Sequence, residues 1–450
     1  MRKLAFILAV LLALSLCACT AQEMPSDQSD SFSSPEVQEP SEEELAAQKR
    51  AEALAFLQEN DTEVPFSADM LDVLIRDFDE AAIDTVLRCK ESKKMDEKTL
   101  WETFGVTSKA LRLLTETTRE NVHVKSQEKR ELTLAFTGDV CLADDWYNMT
   151  FYQNRGYTPN DAFPGTLREK LTGADLLLIN NEFCFSARGE KMPGKRFTFR
   201  AKPENAKILQ AIGTDIVCLA NNHCFDYGKD AFLDTLDTLK TAGIPYAGGG
   251  KDLEEAMMPQ YFVIGGRVIA YACATRAEKT VLTPEAGENS PGVLRTYDSA
   301  RFLTVIEEAR KTADFVVAYV HWGAENETYL EQAIVTQARE YIDAGADAVV
   351  GSHAHRLQAV DYYDGKPIFY NLGNFYFNLE TEDTALATLT LSENGEVQAR
   401  MIPCVQSAAK VFEVSGTASG ERILSTLRRL SQNVEIDEDG YFTPKTQKSA

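Results

Sequence analysis

The chain has 450 residues, of which 46 are basic and 69 acidic, giving a formal net charge of −23, and 44% of the residues are hydrophobic. A field of that sign repels phosphate backbones and anionic lipid surfaces, which excludes a general nucleic-acid-binding role and leaves only local basic patches for anions. The nine cysteines show no paired spacing of the disulfide-framework or zinc-ribbon kind, and most are expected to pack as small hydrophobes.

In chain order, Met1-Arg2-Lys3 is basic and residues 4–16 are apolar, a run too short to span a bilayer but the size of a signal-peptide core. Leu16-Cys17-Ala18-Cys19 resembles a bacterial lipobox, in which a cysteine after small residues is lipidated and becomes the new N-terminus. This predicts a signal peptide over 1–18 and a lipid on Cys19; cleavage near Ala21 to give a soluble secreted protein is the alternative. Residues 19–48 are rich in Ser, Pro, Glu and Asp, cannot bury enough apolar surface to fold, and read as a flexible acidic tether. No later segment is long and apolar enough to cross a membrane. The protein is therefore expected outside the cytoplasmic membrane, anchored to it by the lipid on Cys19.

Residues 49–126 read as a small helical module, with apolar residues at helical spacing over 68–76 and again over 98–117. Its His123 is expected to pack or lie on the surface. Residues 127–131 form the hinge. From 131 to 408 strand-like runs at 132–136, 176–179, 216–219, 263–271, 315–320, 348–350 and 367–370 alternate with helices over 204–212, 231–242 and 330–344, closed by Gly213, Gly243 and Gly345. This is an α/β domain large enough for one substantial core, followed by an extension over 409–450.

Four of the five histidines, and two acids, end the apolar runs: Asp139, Glu182, Asn222-His223, His321 and His353-Ala354-His355. Loops leaving the C-terminal ends of strands gather on one edge of an α/β sheet, so these side chains should converge. Buried imidazoles and carboxylates need partners, and a shared metal supplies one. The donor mix suits manganese, iron or zinc, as one ion or as two bridged by a carboxylate; separate capping or core hydrogen bonds are the alternative. Arg200 follows 194–199, read as a short alternating strand with basic residues on one face. Its guanidinium suits a carboxylate or phosphate, or a surface ion pair. Trp322 lines a pocket or packs, and Gly248-Gly249-Gly250, lacking the rest of a P-loop, is a turn.

Taken in order, Phe136-Thr-Gly-Asp-Val140, Asn180-Asn-Glu182, Phe199-Arg200, Leu219-Ala-Asn-Asn-His223 with Asp226-Tyr-Gly228, His321-Trp-Gly-Ala-Glu325, Gly351-Ser-His-Ala-His355 and Tyr370-Asn-Leu-Gly-Asn374 resemble the motifs of the CapA family. These are capsule or poly-γ-glutamate synthesis proteins on a fold similar to the calcineurin-like metallophosphatases. The resemblance covers 132–407 and implies a layered αββα sandwich behind the helical module. It also implies that Asp139 binds a first metal, that Glu182 stands where a bridging carboxylate belongs, and that Asn222 binds a second metal through its carbonyl. His321, His353 and His355 would complete the two shells, and His223 would orient substrate or protonate a leaving oxygen. Two departures stand out. The Asp-x-His of the phosphatases is here Asp139-Val140-Cys141, with Cys141 a packed thiol or a soft replacement ligand, and the bridging aspartate is Glu182.

Three functions follow as alternatives. The first is a metal-dependent hydrolase or transferase of phosphoester or amide bonds. The second is a non-turnover component that guides an anionic polymer through metal and Arg200, alongside polymer-synthase membrane proteins. The third is a substrate-binding lipoprotein feeding a transporter.

Overall fold

Strand alternation decides the layering. In the strand Phe315–Trp322, Phe315, Val317 and Tyr319 join one apolar cluster, and Val316, Ala318, Val320 and Trp322 join another, as the period of two requires. The first cluster also holds Leu134, Phe136, Leu176, Leu178 and Ile216 from a different sheet, so it is the interior between two stacked sheets. The second holds Phe302, Ile306, Ile334 and Tyr341 from helices. On the far side, Leu177, Ile179 and Val217 pack with Leu209, Phe232 and Leu236 of further helices. The four-layer αββα sandwich is thus the fold of the chain. The computed structural model describes residues 41–60, 62–78, 81–91, 95–116, 118–126, 131–277 and 281–445. The signal segment, Cys19, the tether up to residue 40 and most of the 127–131 hinge lie outside the described residues; the end of the expected tether is instead the start of the helix Glu42–Gln58.

The sheet of seven strands has Arg267–Thr275, Phe315–Trp322 and Ala348–His353 running parallel at its centre. The sheet of ten has Leu132–Val140, Leu176–Asn181 and Ile216–Cys218 parallel in sequence, joined on one side by the long antiparallel pair Glu382–Leu391 and Val397–Ser407. The expected helices appear as Ala206–Ala211, Gly228–Ala242 and Gln332–Asp343. All three closing glycines take positive φ.

Three details differ from the pattern read along the chain. The run 263–271 is two antiparallel strands, Gln260–Ile264 and Arg267–Thr275, because Gly265 and Gly266 both take positive φ and turn the chain into a hairpin. The stretch 98–117 is two helices, Glu97–Phe104 and Ser108–Thr115. Gly105 closes the first, and the Thr107 side chain accepts from the Ala110 amide to start the second. The segment ends not in a helix but in the strand Val122–Val124, which pairs with Gln260–Ile264 at the edge of the seven-stranded sheet. There His123 packs 5.0 Å from the Phe262 ring and bonds to Gln260 at 2.9 Å.

The helices before residue 116 share one apolar cluster with the seven-stranded sheet. They are also bonded to it: the Thr107 amide donates to Gly266 at 2.9 Å, the Thr107 hydroxyl to Asp314 at 2.8 Å, and Lys109 to the Ala313 carbonyl at 3.1 Å. Residues 410–445 are equally integral. The helix Ala418–Leu430 packs on the interior cluster, and Val434–Ile436 and Tyr441–Pro444 extend the ten-stranded sheet.

Candidate metal centre

The alternation that builds the interior also aims the polar residues. Asn180 follows Leu176 and Leu178 on the interior face, and His321 follows Phe315, Val317 and Tyr319. In the strand Leu132–Val140 the register shifts between Phe136 and Asp139, an irregularity of the kind that re-aims a side chain at a site. Gly138 makes this approach feasible: its position is so close to the neighbouring chain that a Cβ would lie 1.9 Å from the Gly373 carbonyl oxygen, to which the Asp139 amide bonds at 3.0 Å. His353 (φ 95°) and His355 (φ 56°) adopt backbone conformations that non-glycine residues rarely take, each costing roughly 1–3 kcal/mol. The His353 amide compensates by donating to the Asp139 carboxylate at 3.2 Å.

Asp139, Glu182, Asn222, His321, His353 and His355 accordingly meet in one place. His321 Nε2 lies 2.7 Å from Asn222 Oδ1 and 3.0 Å from His353 Nδ1, and its Nδ1 lies 2.8 Å from Ser352 Oγ. His355 Nδ1 is 3.1 Å from Asp139 Oδ2. The Asn180 amide ties the acids together, reaching Asp139 at 2.8 Å and Glu182 at 3.1 Å. Two groups of candidate metal ligands emerge, Asp139 with Glu182 and His321, and Glu182 with His353 and His355, and Glu182 belongs to both.

The electrostatics favour an added positive charge. Burial drives the Glu182 carboxyl well above its ordinary range, and the Asp139 charge drives it further. Burial also opposes ionisation of Asp139, yet the hydrogen bond and charge of His355, with His321 behind them, hold that carboxyl well below the ordinary range. Burial lowers His321 strongly, with His353 adding to the effect, and lowers His353 to about 3, with His355 adding. Against its own burial, His355 is raised by the hydrogen bond it makes to Asp139. His321 and His353 are therefore neutral and able to ligate. Glu182 Oε1 is fully buried with no hydrogen-bond partner, while Nε2 of His223, His321 and His355 stand 3.9, 3.8 and 3.9 Å away. Those distances are too long for hydrogen bonds, and an orphaned buried carboxyl oxygen is costly. The residues present therefore fit a metal ion.

His223 borders the cluster in a different way. Its Nδ1 lies 2.7 Å from Asp226 Oδ2, and its ring lies 4.4 Å from the Phe199 ring. Asp226 also accepts from the Phe199 amide at 2.6 Å and from Lys195 at 2.7 Å. The Lys195 side chain is 2% exposed, and it donates to the Asn222 carbonyl as well. Asp226, Lys195, Asn180 and Ser352 carried no assigned role in the sequence. The buried Lys195–Asp226 pair spans thirty-one positions, and only its adjacency to the quoted motifs hinted at it.

The segment 194–199 forms no strand; only Arg200–Ala201 does, beside Cys184–Phe185. The bonds from Phe199 and Lys195 to Asp226 hold the preceding residues where a sheet partner would otherwise be needed. Arg200 is not brought into the cluster. Its guanidinium donates to the carbonyls of Arg188 and Gly189 at 3.2 and 3.1 Å and lies over the Tyr227 ring. Cys141 is a buried thiol in the outer apolar layer, pushed well up by burial, and joins neither ligand group. Trp322 packs on Tyr341 and donates to the Tyr370 carbonyl at 3.0 Å. Gly249–Gly250 is not the turn read from the sequence but a short strand paired with Gly292–Val293, its backbone close against Phe232 and Glu255. No disulfide joins the seven described cysteines, six of which are buried.

Comparison with known proteins gives consistent likenesses. The model of the family described as bacterial capsule synthesis protein PGA_cap matches residues 133–379. A PGA biosynthesis protein CapA of Bacillus subtilis (strain 168) is 34% identical over 258 residues, covering 56% of this chain and 67% of that protein. A capsule biosynthesis protein CapA of Bacillus anthracis is 30% identical over 290 residues, covering 62% and 69%. A probable polyglutamine synthesis accessory protein of Mycobacterium tuberculosis is 28% identical over 284 residues, covering 59% and 74%. Among solved structures, TT1561 of Thermus thermophilus aligns with a TM-score of 0.33 at 10% identity over 60% of this chain and 97% of that one, a likeness too slight to argue from.

Proposed function

The chain belongs to the bacterial capsule synthesis protein family PGA_cap, and from that premise we propose that it is a cell-surface lipoprotein of capsule or poly-γ-glutamate assembly with a hydrolytic metal centre. Asp139, Glu182, Asn222, His321, His353 and His355 would hold one or two divalent ions of manganese, iron or zinc. Such ions supply Lewis-acid chemistry, polarising a phosphoryl or acyl oxygen and activating water. The chain's own residues do the rest. Asp226 fixes the His223 imidazole through Nδ1 and leaves Nε2 turned toward Glu182 and the cluster, where it can deliver a proton to a leaving oxygen or nitrogen. Phe199 shields one face of that ring from water. Anchorage through Cys19 and the acidic tether would hold the domain at the membrane surface, within reach of polymer-synthase membrane proteins.

The observation that carries this reading is the orphaned Glu182 Oε1 within 4 Å of three imidazole nitrogens. The test is elemental analysis of the purified protein after supplementation with manganese, iron or zinc, followed by assay against phosphoesters and γ-linked glutamate oligomers. His353→Ala and His355→Ala are expected to lower metal occupancy about tenfold or more, since the remaining ligands cannot close the shell. Near-zero metal in the wild type refutes the centre. Full metal with no turnover of either substrate class assigns the site instead to metal-assisted guiding of the polymer.

A further inference from the structure

One segment of this strongly acidic chain carries the opposite charge. Between residues 187 and 202 stand Arg188, Lys191, Lys195, Arg196, Arg200 and Lys202 against the single acid Glu190. Three of these cations are committed within the fold: Arg188 to Asp234, Lys195 to Asp226, and Arg200 to main-chain carbonyls. Lys191, Arg196 and Lys202 are exposed and form no ion pair among the described residues. The segment also displays aromatic surface, shared with Tyr147 of the helix Tyr147–Asn154. Phe197 is 46% exposed and Tyr147 63%. Their rings pack on Trp146 at 5.8 and 4.8 Å, Trp146 packs on Phe199 at 4.8 Å, and Phe199 packs on His223. The Arg196 guanidinium lies 5.0 Å from the Phe197 ring. A continuous aromatic path therefore leads from an exposed basic surface to the imidazole beside the centre, and Lys195, next to Arg196, pins that surface to Asp226 and Asn222.

We infer that the excursion 187–202 is the surface that captures a polycarboxylate chain and feeds it to the centre, with Arg196 and Lys191 as its charged contacts. This rests on the capsule-polymer reading above and deepens it by assigning the binding surface, moving it from Arg200 to Arg196. The chemistry of the surface selects the occupant. Guanidinium and ammonium groups bind carboxylates, and the rings between them bury methylene groups. A γ-linked glutamate chain alternates carboxylates with short apolar stretches and meets both, whereas a polyphosphate offers charge alone. The net charge of −23 repels a densely charged strand everywhere else, so capture is confined to this patch and weakens with salt.

The experiment measures anisotropy of a fluorescent γ-linked glutamate oligomer on the full-length protein at low and moderate salt, with metal content and melting temperature recorded on the same samples. The double variant Lys191→Ala, Arg196→Ala is expected to bind roughly tenfold more weakly and with less salt dependence, and Arg196→Glu more weakly still. Metal content should not change, and Arg301→Ala, at a surface ion pair with Glu285, should behave as wild type. Should the alanine variant melt early, Lys191→Gln, Arg196→Gln makes the same measurement with the side-chain bulk retained. Binding by the double variant as tight as wild type overturns the inference and leaves the capsule reading standing. Binding of inorganic polyphosphate without the glutamate oligomer overturns it in favour of a phosphate surface. Binding of neither by the wild type removes both the inference and the polymer assigned above.

Discussion

His223 sits among candidate ligands but is held by Asp226, which separates two tasks that neighbouring residues usually share. His223→Asn should retain metal and melting temperature while lowering any hydrolytic rate by roughly 10²–10⁴-fold, the usual worth of a positioned proton donor; equal loss of metal and rate would make it a ligand. A second expectation concerns protons. Glu182 is raised by burial and by Asp139, and His355 by its bond to Asp139 against the pull of burial, so both groups hold their protons to higher pH than they would in water, and an ion binding there competes with those protons. Metal affinity should fall as pH is lowered, about tenfold per unit for each proton displaced. Calorimetric titration in buffers of different ionisation enthalpy counts those protons, and a count of zero contradicts the assignment. The convergence of Asp139, Glu182, Asn222, His321, His353 and His355 was legible in the sequence, because polar residues that end apolar runs have nowhere to go except a shared edge. The surroundings of Arg200 were not, because a strand was read where the chain is instead held by bonds to Asp226, an interaction no local periodicity encodes.

Among the elements, the strand Leu132–Val140 bears the tightest constraint, since it passes Gly373 with no space for a side chain at Gly138. Gly138→Ala must push backbone rather than a flexible side chain. It should cost on the order of 1–3 kcal/mol or more, and because Asp139 is the next residue, metal occupancy should drop with it. Unchanged melting and metal content in that variant would show that the two strands can part freely. The junction between Ser108–Thr115 and the seven-stranded sheet supplies another test. Burial raises Asp314 to about 6, against the hydrogen bonds from Val268 and Thr107. Its folded value exceeds its unfolded one, so the proton favours the fold. That contribution is complete below about pH 4 and is lost as pH rises through 6. Relative to Asp314→Asn, the wild type should lose on the order of 2 kcal/mol across that window, read from urea midpoints of the two proteins at matched pH; parallel profiles would contradict it. The parallel strands and their closing glycines were legible as apolar runs. The hairpin at Gly265-Gly266 was not, because two consecutive buried strands read as one apolar stretch, and the terminal strands Val434–Ile436 and Tyr441–Pro444 are too short to show a period.

At the scale of the molecule, the lipid anchor proposed on Cys19 is open to a direct test. Cys19→Ala should release the protein to the medium or leave unprocessed precursor, and an unchanged mature membrane fraction on fractionation would remove the lipid anchor. The sandwich was legible from the alternation of strand and helix together with the ordered motifs. The place of the early helices was not, because their docking depends on Thr107 and Lys109 meeting Asp314 and the Ala313 carbonyl some two hundred positions away. The two sheets also divide the candidate donors between them: Asp139, Glu182 and Asn222 lie at the end of, or just beyond, strands of the ten-stranded sheet, and His321, His353 and His355 at the end of, or just beyond, strands of the seven-stranded one. An ion gripped by both is a rivet through the sandwich, and at a hundredfold excess over its dissociation constant it would add about 2.7 kcal/mol to the folded state. Scarcity of that ion would then loosen the whole body along with the chemistry, so that the quantity of intact protein at the surface would itself report how much metal the cell's surroundings provide.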